Sequence, residues 1–279
     1  IRRIIELSNR LANRSHDVTI FHPDGSPCRW MACSAKVKPH DDLLNDAYDV
    51  IIYNDPNPID YGLVRAAEAE IKIFYVLALY EKSLLTGINP GILIRPNSRM
   101  SILKRSLQSG CLKLANSTWI QRWLKENLQV ESRLLIGGIN TTMFYPAESK
   151  SNPDEFRILC SGDPRERKGT ATIREAVELV RKDEPYVVLD TYHGKGIPQS
   201  EMAATYSSAD LFVDAQQYAG WNNPVAEAMA CGVPVVCTDI GGVKDFAFQE
   251  ETALLVPPKA PEAMASAIIR LANDTELRE

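Results

Sequence analysis

The chain has 279 residues, of which 45% are hydrophobic and 24% are charged, a composition that allows a substantial globular core. No apolar run approaches the roughly 18–20 residues that a membrane-spanning helix needs, and the first residues lack the pattern of a signal peptide. The six cysteines and four histidines do not have zinc-ligand spacing, so we expect no metal site.

Charge is distributed unevenly along the chain. Residues 1–143 contain 18 Lys and Arg against 14 Asp and Glu, whereas residues 144–279 contain 13 against 22. A basic half beside an acidic half suggests that the two halves meet different partners, although surface variation alone can produce such a difference. The acidic total and the absence of a basic, aromatic stripe argue against nucleic-acid binding.

The first half predicts alternating helices and strands. Apolar residues at helical spacing predict a helix over residues 1–12. A second helix is expected from Thr118, because Thr118 and Gln121 have capping-box spacing. A first helix normally packs on a preceding strand, so we expect that this half lacks its first strand. Short apolar runs predict strands at 17–21, 49–53, 71–76, 112–115 and 133–136.

Gly137-Gly138 and the stretch from Pro146 to Pro153 predict a hinge, after which the alternation restarts. The strands are continuous apolar runs, which is typical of a parallel sheet covered on both faces. We therefore predict an α/β protein of two Rossmann-like lobes, residues 1–145 and 146–279, with a ligand cleft between them. Predicted strands in this half are 156–160, 186–189, 211–213, 233–237 and 253–256, and predicted helices are 173–180, 200–206, 224–231 and 261–273.

The segment from Tyr218 to Val236 carries the most chemical information. Asn223 is a suitable N-cap, Pro224 suits the first helical position, and Gly232 ends the helix. The free N–H groups and partial positive charge of such a helix start favour a diphosphate. Glu227 lies one turn in, where its carboxylate can accept hydrogen bonds from paired hydroxyls such as those of ribose. The other interpretation of Glu227 is simple stabilisation of the helix dipole.

This segment resembles the signature of family 4 retaining glycosyltransferases, which have the two-lobed GT-B fold. The family pattern is Glu-Gly-Phe-Gly-x-Pro-x-x-Glu-Ala-Met-Ala-Cys-Gly-x-Pro-Val-Val. The resemblance covers nearly the whole chain and is most specific after about Asp210. The matching positions in this sequence are Gly220, Pro224, Glu227–Gly232, Pro234–Val236, Thr238–Gly242, Leu254–Pro258 and, in the interlobe region, Leu135–Asn140 and Phe144–Pro146.

The resemblance implies a site for a nucleotide-diphosphate sugar. Glu227 would bind the donor ribose, and Ile197 lies where the backbone of family members meets the base. The residues expected around the rest of the donor are Gly220, Trp221, Asn222, Asn223 and Val225.

A second phosphate site is implied by the turn from Gly162 to Gly169, which resembles the family's Gly-Arg-x-x-x-x-Lys-Gly. Lys168 matches and would neutralise charge on the leaving nucleotide, which makes it a catalytic candidate without a metal. The Arg position is Asp163, so Arg165 or Arg167 is expected to reach the phosphates instead. A solvated, charged turn is the alternative interpretation.

The sequence departs from the family at Ala219, where family members have a Glu that contacts the donor sugar. Alanine cannot hold a sugar hydroxyl. A catalytically impaired protein that binds a nucleotide or glycan is therefore one alternative, and a nucleotide-sugar epimerase or glycosyl phosphorylase of the same fold is another.

Acceptor and catalytic groups of the first lobe are expected where strands end. Asn54 and Tyr80-Glu81 are polar residues that follow apolar runs, and family members often have a His or carboxylate near the position of Glu81. We interpret Glu81 as a catalytic and acceptor-side candidate. The basic stretch 95–107 is interpreted as a solvated helix, with contact to anionic lipid as the alternative.

The resulting prediction is a retaining, metal-independent hexosyltransferase. It would move a sugar from a nucleotide-diphosphate sugar to a hydroxyl of a glycan, lipid-linked or small-molecule acceptor, in polysaccharide or glycoconjugate synthesis. We expect it in the cytoplasm or peripherally on a membrane, with no cofactor other than the donor. The sequence has no dinucleotide GxGxxG, no P-loop, no GxSxG elbow and no Asp-x-Asp.

Overall fold

The computed structural model describes residues 2–54, 58–77, 79, 99–148, 152 and 154–278. These residues form two compact units. Unit 1 contains the described residues up to Leu77, those from Arg99 to Ala115, and Leu124–Arg133. Unit 2 contains Leu79, the segment 116–123 and the described residues from Leu134 onward. The predicted division of the chain after residue 145 stays a prediction.

Unit 1 contains two small sheets. Strands β1 and β2 pair in parallel, and a four-stranded sheet has the order β3-β4-β5-β6, in which β4 pairs in parallel with β3 and β5. The strands are β1 (Thr19–His22), β2 (Lys36–Pro39), β3 (Ala47–Tyr53), β4 (Glu68–Val76), β5 (Leu112–Ala115) and β6 (Arg133–Leu134), and the helices are α1 (Arg2–Ala12), α2 (Pro58–Ala66) and α3 (Arg99–Gln108).

Two of these elements, β2 and α2, were not predicted from the sequence. In β2 a single apolar residue, Val37, stands between two lysines, so the strand leaves no apolar run to detect. In α2, Pro58 and Gly62 interrupt the helical pattern. The five strands predicted in the first half are all present, although the strand at Arg133 ends two residues earlier than predicted.

Helix α4 (Thr118–Leu128) begins at the predicted residue but has a different cap. Ser117, and not Thr118, is the N-cap, because the Ser117 Oγ accepts a hydrogen bond from the Ile120 N–H at 3.1 Å. The Thr118 N–H donates to Asp245 Oδ2 at 2.9 Å, and the Thr118 hydroxyl bonds the same carboxylate. The predicted capping box with Gln121 is therefore wrong, since Thr118 is occupied by Asp245.

Unit 2 is built on five parallel strands in the order β8-β7-β9-β10-β11. The chain passes from β7 outward to β8 and then returns to the other side of β7 for β9. In such doubly wound sheets, ligands bind beyond the carboxyl ends of the strands at the point where the order reverses. That point lies here between β7 and β9. The strands are β7 (Phe156–Cys160), β8 (Val187–Thr191), β9 (Leu211–Asp214), β10 (Val235–Thr238) and β11 (Leu254–Val256).

Helices cover both faces of this sheet. Along β9, Leu211 and Val213 belong to the apolar core that α5 and α8 complete, whereas Phe212 belongs to the core under α6 and α7. Strands buried on both faces explain why the apolar runs are continuous. The helices of unit 2 are α5 (Thr170–Val180), α6 (Met202–Ser207), α7 (Asn223–Ala230), α8 (Pro261–Asn273) and α9 (Thr275–Arg278).

No helix in the described part of the chain combines the length and the apolar character that crossing a membrane requires.

Candidate functional site

Two loops meet at the switch point of the unit 2 sheet. Residues 161–169 follow β7, and residues 215–222 follow the neighbouring strand β9. Gly169 lies so close to the second loop that an added Cβ would stand 2.0 Å from the Ala215 carbonyl oxygen. The Gln217 N–H also donates to the Arg167 carbonyl at 2.9 Å. The two loops therefore form one continuous surface where a ligand of this fold is expected.

The first loop is the predicted phosphate turn, residues 161–169. Gly162 has a φ of 74°, and a Cβ there would lie 2.6 Å from the Thr191 Cβ. A short 3₁₀ turn, Glu166–Lys168, then leads to Gly169, which has a φ of 68°. Each of these two positions requires glycine, because the backbone is left-handed and a neighbouring group leaves no room for a Cβ.

Asp163, at the position where the family has Arg, is buried in this turn. It accepts a hydrogen bond from its own loop, from the Arg165 N–H at 3.0 Å. Its carboxylate also binds the Arg165 guanidinium, with Nε to Oδ1 at 3.0 Å. The pKa of Asp163 is held well below its usual range, chiefly by the side-chain hydrogen bond from Arg165. Arg165 is thus tied to its own loop, although 60% of its side chain remains exposed.

Lys168 points from the first loop to the second. Its Nζ donates to Gln216 Oε1 at 2.9 Å, and the side chain is only partly exposed. Burial lowers the pKa of the Lys168 ammonium, and the Asp214 carboxylate acts in the opposite direction. The structure therefore places a partly desolvated cation at the switch point, at the position that the sequence predicted for a phosphate-binding lysine.

Behind Lys168 lies a buried polar triangle formed by Asp214, Gln216 and Asn222. Gln216 Nε2 donates to Asp214 Oδ2 at 3.2 Å and to Asn222 Oδ1 at 2.8 Å. Asn222 Nδ2 donates to Asp214 Oδ1 at 2.8 Å, and the Gln216 N–H reaches the same oxygen at 3.1 Å. All three residues are less than 5% exposed. Burial raises the pKa of Asp214, against the effect of these hydrogen bonds.

The start of α7 differs from the prediction by one residue. The helix begins at Asn223, with Asn222 and not Asn223 at the N-cap position and Pro224 in the first turn. The Asn222 side chain makes no capping bond to the helix because it is turned toward Asp214. The predicted capping by an asparagine side chain is therefore wrong.

Glu227 lies in α7 and is 2% exposed. Its Oε2 accepts a hydrogen bond from the Tyr206 hydroxyl of α6 at 2.9 Å. Tyr206 is itself held by edge-on contacts with Phe144, Tyr192 and Phe212. A carboxylate that is buried and held by a neighbouring helix is not explained by dipole stabilisation, which needs only an exposed acidic group.

The loop before α7 is packed against glycines of unit 2. The Trp221 ring contacts Phe246 and lies so close to Gly137 that a Cβ there would meet the ring at 2.3 Å. A Cβ on Gly242 would stand 1.8 Å from the Gly220 carbonyl oxygen. The prediction that Gly137 serves as part of a hinge is incomplete, because this glycine is where the Trp221 ring fits.

The remaining predicted donor residues have less specific surroundings. The Val225 side chain is fully buried in the core under α6 and α7, and Ile197 packs against that core. The main chain of Arg167 joins the loops, as described above. At the donor, Val225 can therefore act only through its main chain.

Of the predicted acceptor-side residues, only Asn54 is described. It is half-buried and follows β3 in unit 1. Tyr80 and Glu81 lie outside the described residues, as does Arg95 of the basic stretch. Within the described ranges, no group of three or more His, Cys, Asp and Glu residues is arranged to hold a metal ion.

Asp214 and Gln216 were missed from the sequence. The available signal was Asp214-Ala215-Gln216, in which one polar residue ends a fully buried strand and a second follows two positions later. Polar groups at the carboxyl end of a parallel strand face the ligand edge of the sheet.

The part of the chain that carries this site is similar to known proteins. Residues 147–274 match the family model described as Glycosyl transferases group 1. The putative teichuronic acid biosynthesis glycosyltransferase TuaC of Bacillus subtilis (strain 168) is 30% identical over 193 residues, which are 61% of this chain and 49% of TuaC. The chain thus spans about half the length of this curated relative.

Two solved structures show the same fold. Sucrose-phosphate synthase from Thermosynechococcus elongatus has a TM-score of 0.73 at 20% identity, over 99% of this chain and 84% of that one. Anabaena HepE, solved with UDP and glucose, has a TM-score of 0.59 at 14% identity, over 82% and 70%. The predicted GT-B fold class is therefore confirmed, and most of unit 2 is similar in sequence to the glycosyl transferases group 1.

Proposed function

We propose that the chain transfers a sugar from a nucleotide-diphosphate sugar to an acceptor hydroxyl. The observation that carries this proposal is the pair of hydrogen bonds that joins Lys168 through Gln216 to Asn222, directly before α7, at the switch point of the sheet. A cation and free backbone N–H groups on one surface are what a diphosphate requires. The complex of HepE with UDP and glucose supports the same ligand class.

Glu227 is proposed to bind the ribose of the donor. A carboxylate accepts hydrogen bonds from two neighbouring hydroxyls, and the Tyr206 hydroxyl already fixes its orientation. Lys168 is proposed to neutralise the charge that develops on the leaving nucleoside diphosphate. Retention of the anomeric configuration and independence from metal ions are part of the proposal and rest on the family resemblance.

The acceptor is proposed to be a glycan or lipid-linked hydroxyl in polysaccharide or glycoconjugate synthesis, in the cytoplasm or at a membrane surface. The name of TuaC, which refers to teichuronic acid biosynthesis, supports a polymer of this kind. Asn54, Tyr80 and Glu81 remain the acceptor-side proposals, with Glu81 as a catalytic candidate. A Glu81→Gln variant that keeps full transfer activity would remove Glu81 from that role.

The experiment for this proposal is a donor panel of UDP-, GDP- and dTDP-sugars, with release of nucleoside diphosphate measured with and without EDTA. We expect release from one donor type, unchanged by EDTA and strongly reduced in Lys168→Met. The control variant is Lys182→Met, which removes an exposed lysine of the same unit. Proton NMR of the product then reports whether the anomeric configuration is retained.

Ala219 favours a second candidate, a protein that binds a nucleotide without transferring sugar. Its backbone carbonyl accepts the Gly242 N–H at 3.2 Å, so the loop is well formed even though the side chain cannot hold a sugar. Turnover by the wild-type protein would exclude this candidate. Binding without turnover, together with turnover gained in Ala219→Glu, would establish it.

A further inference from the structure

We propose that Asp214 and Gln216 are positioning residues that aim the ammonium group of Lys168 at the ligand surface. The observation is the hydrogen-bond chain that runs from Lys168 through Gln216 to Asp214, with Asn222 closing the triangle. The consequence for catalysis rests on the proposed function, because the aim of Lys168 matters only where an anionic ligand binds.

The direction of each hydrogen bond between Lys168, Gln216 and Asp214 follows from which groups can donate. The two donors of the Gln216 amide are both used, one on the Asp214 carboxylate and one on Asn222 Oδ1. A carboxylate can only accept, so the Gln216 amide cannot be turned around. Its Oε1 must therefore face Lys168, whose ammonium can only donate.

Rigid elements of unit 2 hold the residues of the triangle in place. Asp214 is the last residue of β9, in the middle of the sheet, and Asn222 directly precedes α7. The Thr238 hydroxyl, at the end of β10, donates to the Gln216 carbonyl and holds its main chain. Lys168, by contrast, stands in a short 3₁₀ turn. The stiff loop therefore sets the position of the cation on the other loop.

Charge supports the same arrangement. The charged groups around the Lys168 ammonium are the carboxylates of Asp214 and Asp163, which raise its pKa, and the guanidinium groups of Arg165 and Arg167, which lower it. Removing the charge of Asp214 leaves only Asp163 of these carboxylates to favour the protonated form, against burial and the two arginines. The pKa of Lys168 is then expected to fall further, so the ammonium loses its proton at a lower pH.

The test measures Lys168 directly in the ligand-free protein. Lysine side chains labelled at Cε are titrated by NMR, and the Lys168 signal is assigned by its loss in Lys168→Met. We expect Asp214→Asn to lower the pKa of Lys168, and Gln216→Met to change both its pKa and its chemical shift. Gln217→Met is the matched control, because the Gln217 side chain bonds the Glu166 carbonyl instead. Gln216→Met keeps the length of the side chain, so this variant alone tests the proposal if Asp214→Asn does not fold.

A second measurement separates positioning from a merely structural role. In UDP binding, Gln216→Met is expected to weaken affinity roughly 3–10-fold in the wild-type background and less than about twofold in Lys168→Met. An equal loss in both backgrounds, or an unchanged Lys168 titration in folded variants, overturns the proposal. If the wild-type protein binds no nucleotide, the proposed function fails, and the NMR titration still decides whether Asp214 and Gln216 position Lys168.

Discussion

The two loops at the switch point of unit 2 use polar residues in opposite ways. In the loop 161–169, all charged side chains except the buried Asp163 are at least partly exposed, and Asp163 and Arg165 satisfy each other within three residues. In the loop 215–222, the polar side chains of Gln216 and Asn222 are buried and bond back to Asp214 of the sheet. The second loop is therefore fixed by the core of unit 2, whereas the first is fixed mainly by its own turn and by its contact with the second.

The geometry of a ligand site is held best by buried polar groups of the second kind. Buried and fully paired polar groups hold one geometry, because any other arrangement leaves a desolvated group without a partner. Exposed ion pairs hold geometry weakly, since water can replace either member. Lys168 lies in the loop 161–169, but its hydrogen bond with Gln216 attaches its side chain to the more rigid loop 215–222.

Of the substitutions considered, we expect one at Gly169 to disturb the contact between the loops most severely. A Gly169→Ala variant places a methyl group against the Ala215 carbonyl and strains a left-handed backbone. We expect a loss of roughly 2–5 kcal/mol in the free energy of unfolding, measured with urea. Gly194→Ala is the matched control, since Gly194 has a φ of 78° but no neighbour within 4 Å of an added Cβ. Equal losses in both variants would show that the loops do not need this close approach.

Lys168 is the next test, because it joins the two loops. Lys168→Met is expected to weaken the binding of both UDP and inorganic pyrophosphate by about 1.5–3 kcal/mol, or roughly 10–150-fold, since it removes a charge-assisted contact to phosphate. Isothermal titration calorimetry measures both ligands, with Lys182→Met as the control. Unchanged affinity for pyrophosphate in Lys168→Met is the result that would contradict a phosphate-binding role.

Glu227 provides the corresponding test for α7. Glu227→Gln preserves shape and replaces a charged acceptor with a neutral one, so UDP affinity should fall by about 1 kcal/mol, roughly fivefold. Pyrophosphate affinity should not change, because pyrophosphate has no ribose. A parallel loss for both ligands would mean that Glu227 acts on the shape of the site and not on the sugar of the nucleoside.

The smallest effect is expected within the first loop. Asp163→Asn weakens the pairing with Arg165, at a cost of less than about 1 kcal/mol because Arg165 is largely exposed. The pKa of Asp163 is lowered in the folded protein, so its contribution is present above the unfolded value of about 3.9 and is lost as the pH falls through the folded value. The difference in thermal stability between wild type and Asp163→Asn should therefore shrink below about pH 4. A difference that grows on acidification would reverse the assigned sign.

Much of the fold of unit 2 was predictable because burial on both faces leaves continuous apolar runs. The runs at β7 and β9 and the Gly and Pro residues around α7 predicted these elements within two residues. The strand β2 was not predictable in this way, because the alternation of Lys36, Val37 and Lys38 is too short to distinguish from a loop.

The candidate site was predictable only where a motif has fixed spacing. Gly162, Lys168 and Glu227 were proposed as site residues in this way, and Gly162 does adopt a left-handed backbone. The triangle behind Lys168 was not found, since the partner of a buried amide depends on which strand ends become neighbours in space. Asn222 was expected at the donor, whereas its side chain is used to hold Asp214.

Whether the switch point of unit 2 binds a nucleotide is decided by calorimetry of the wild-type protein with UDP, GDP and dTDP. We expect at least one nucleoside diphosphate to bind, and the same nucleotide to bind more weakly to Lys168→Met and to Glu227→Gln but not to Lys182→Met. Absence of binding by all three nucleotides to folded protein would contradict the assignment of the switch point as a nucleotide site.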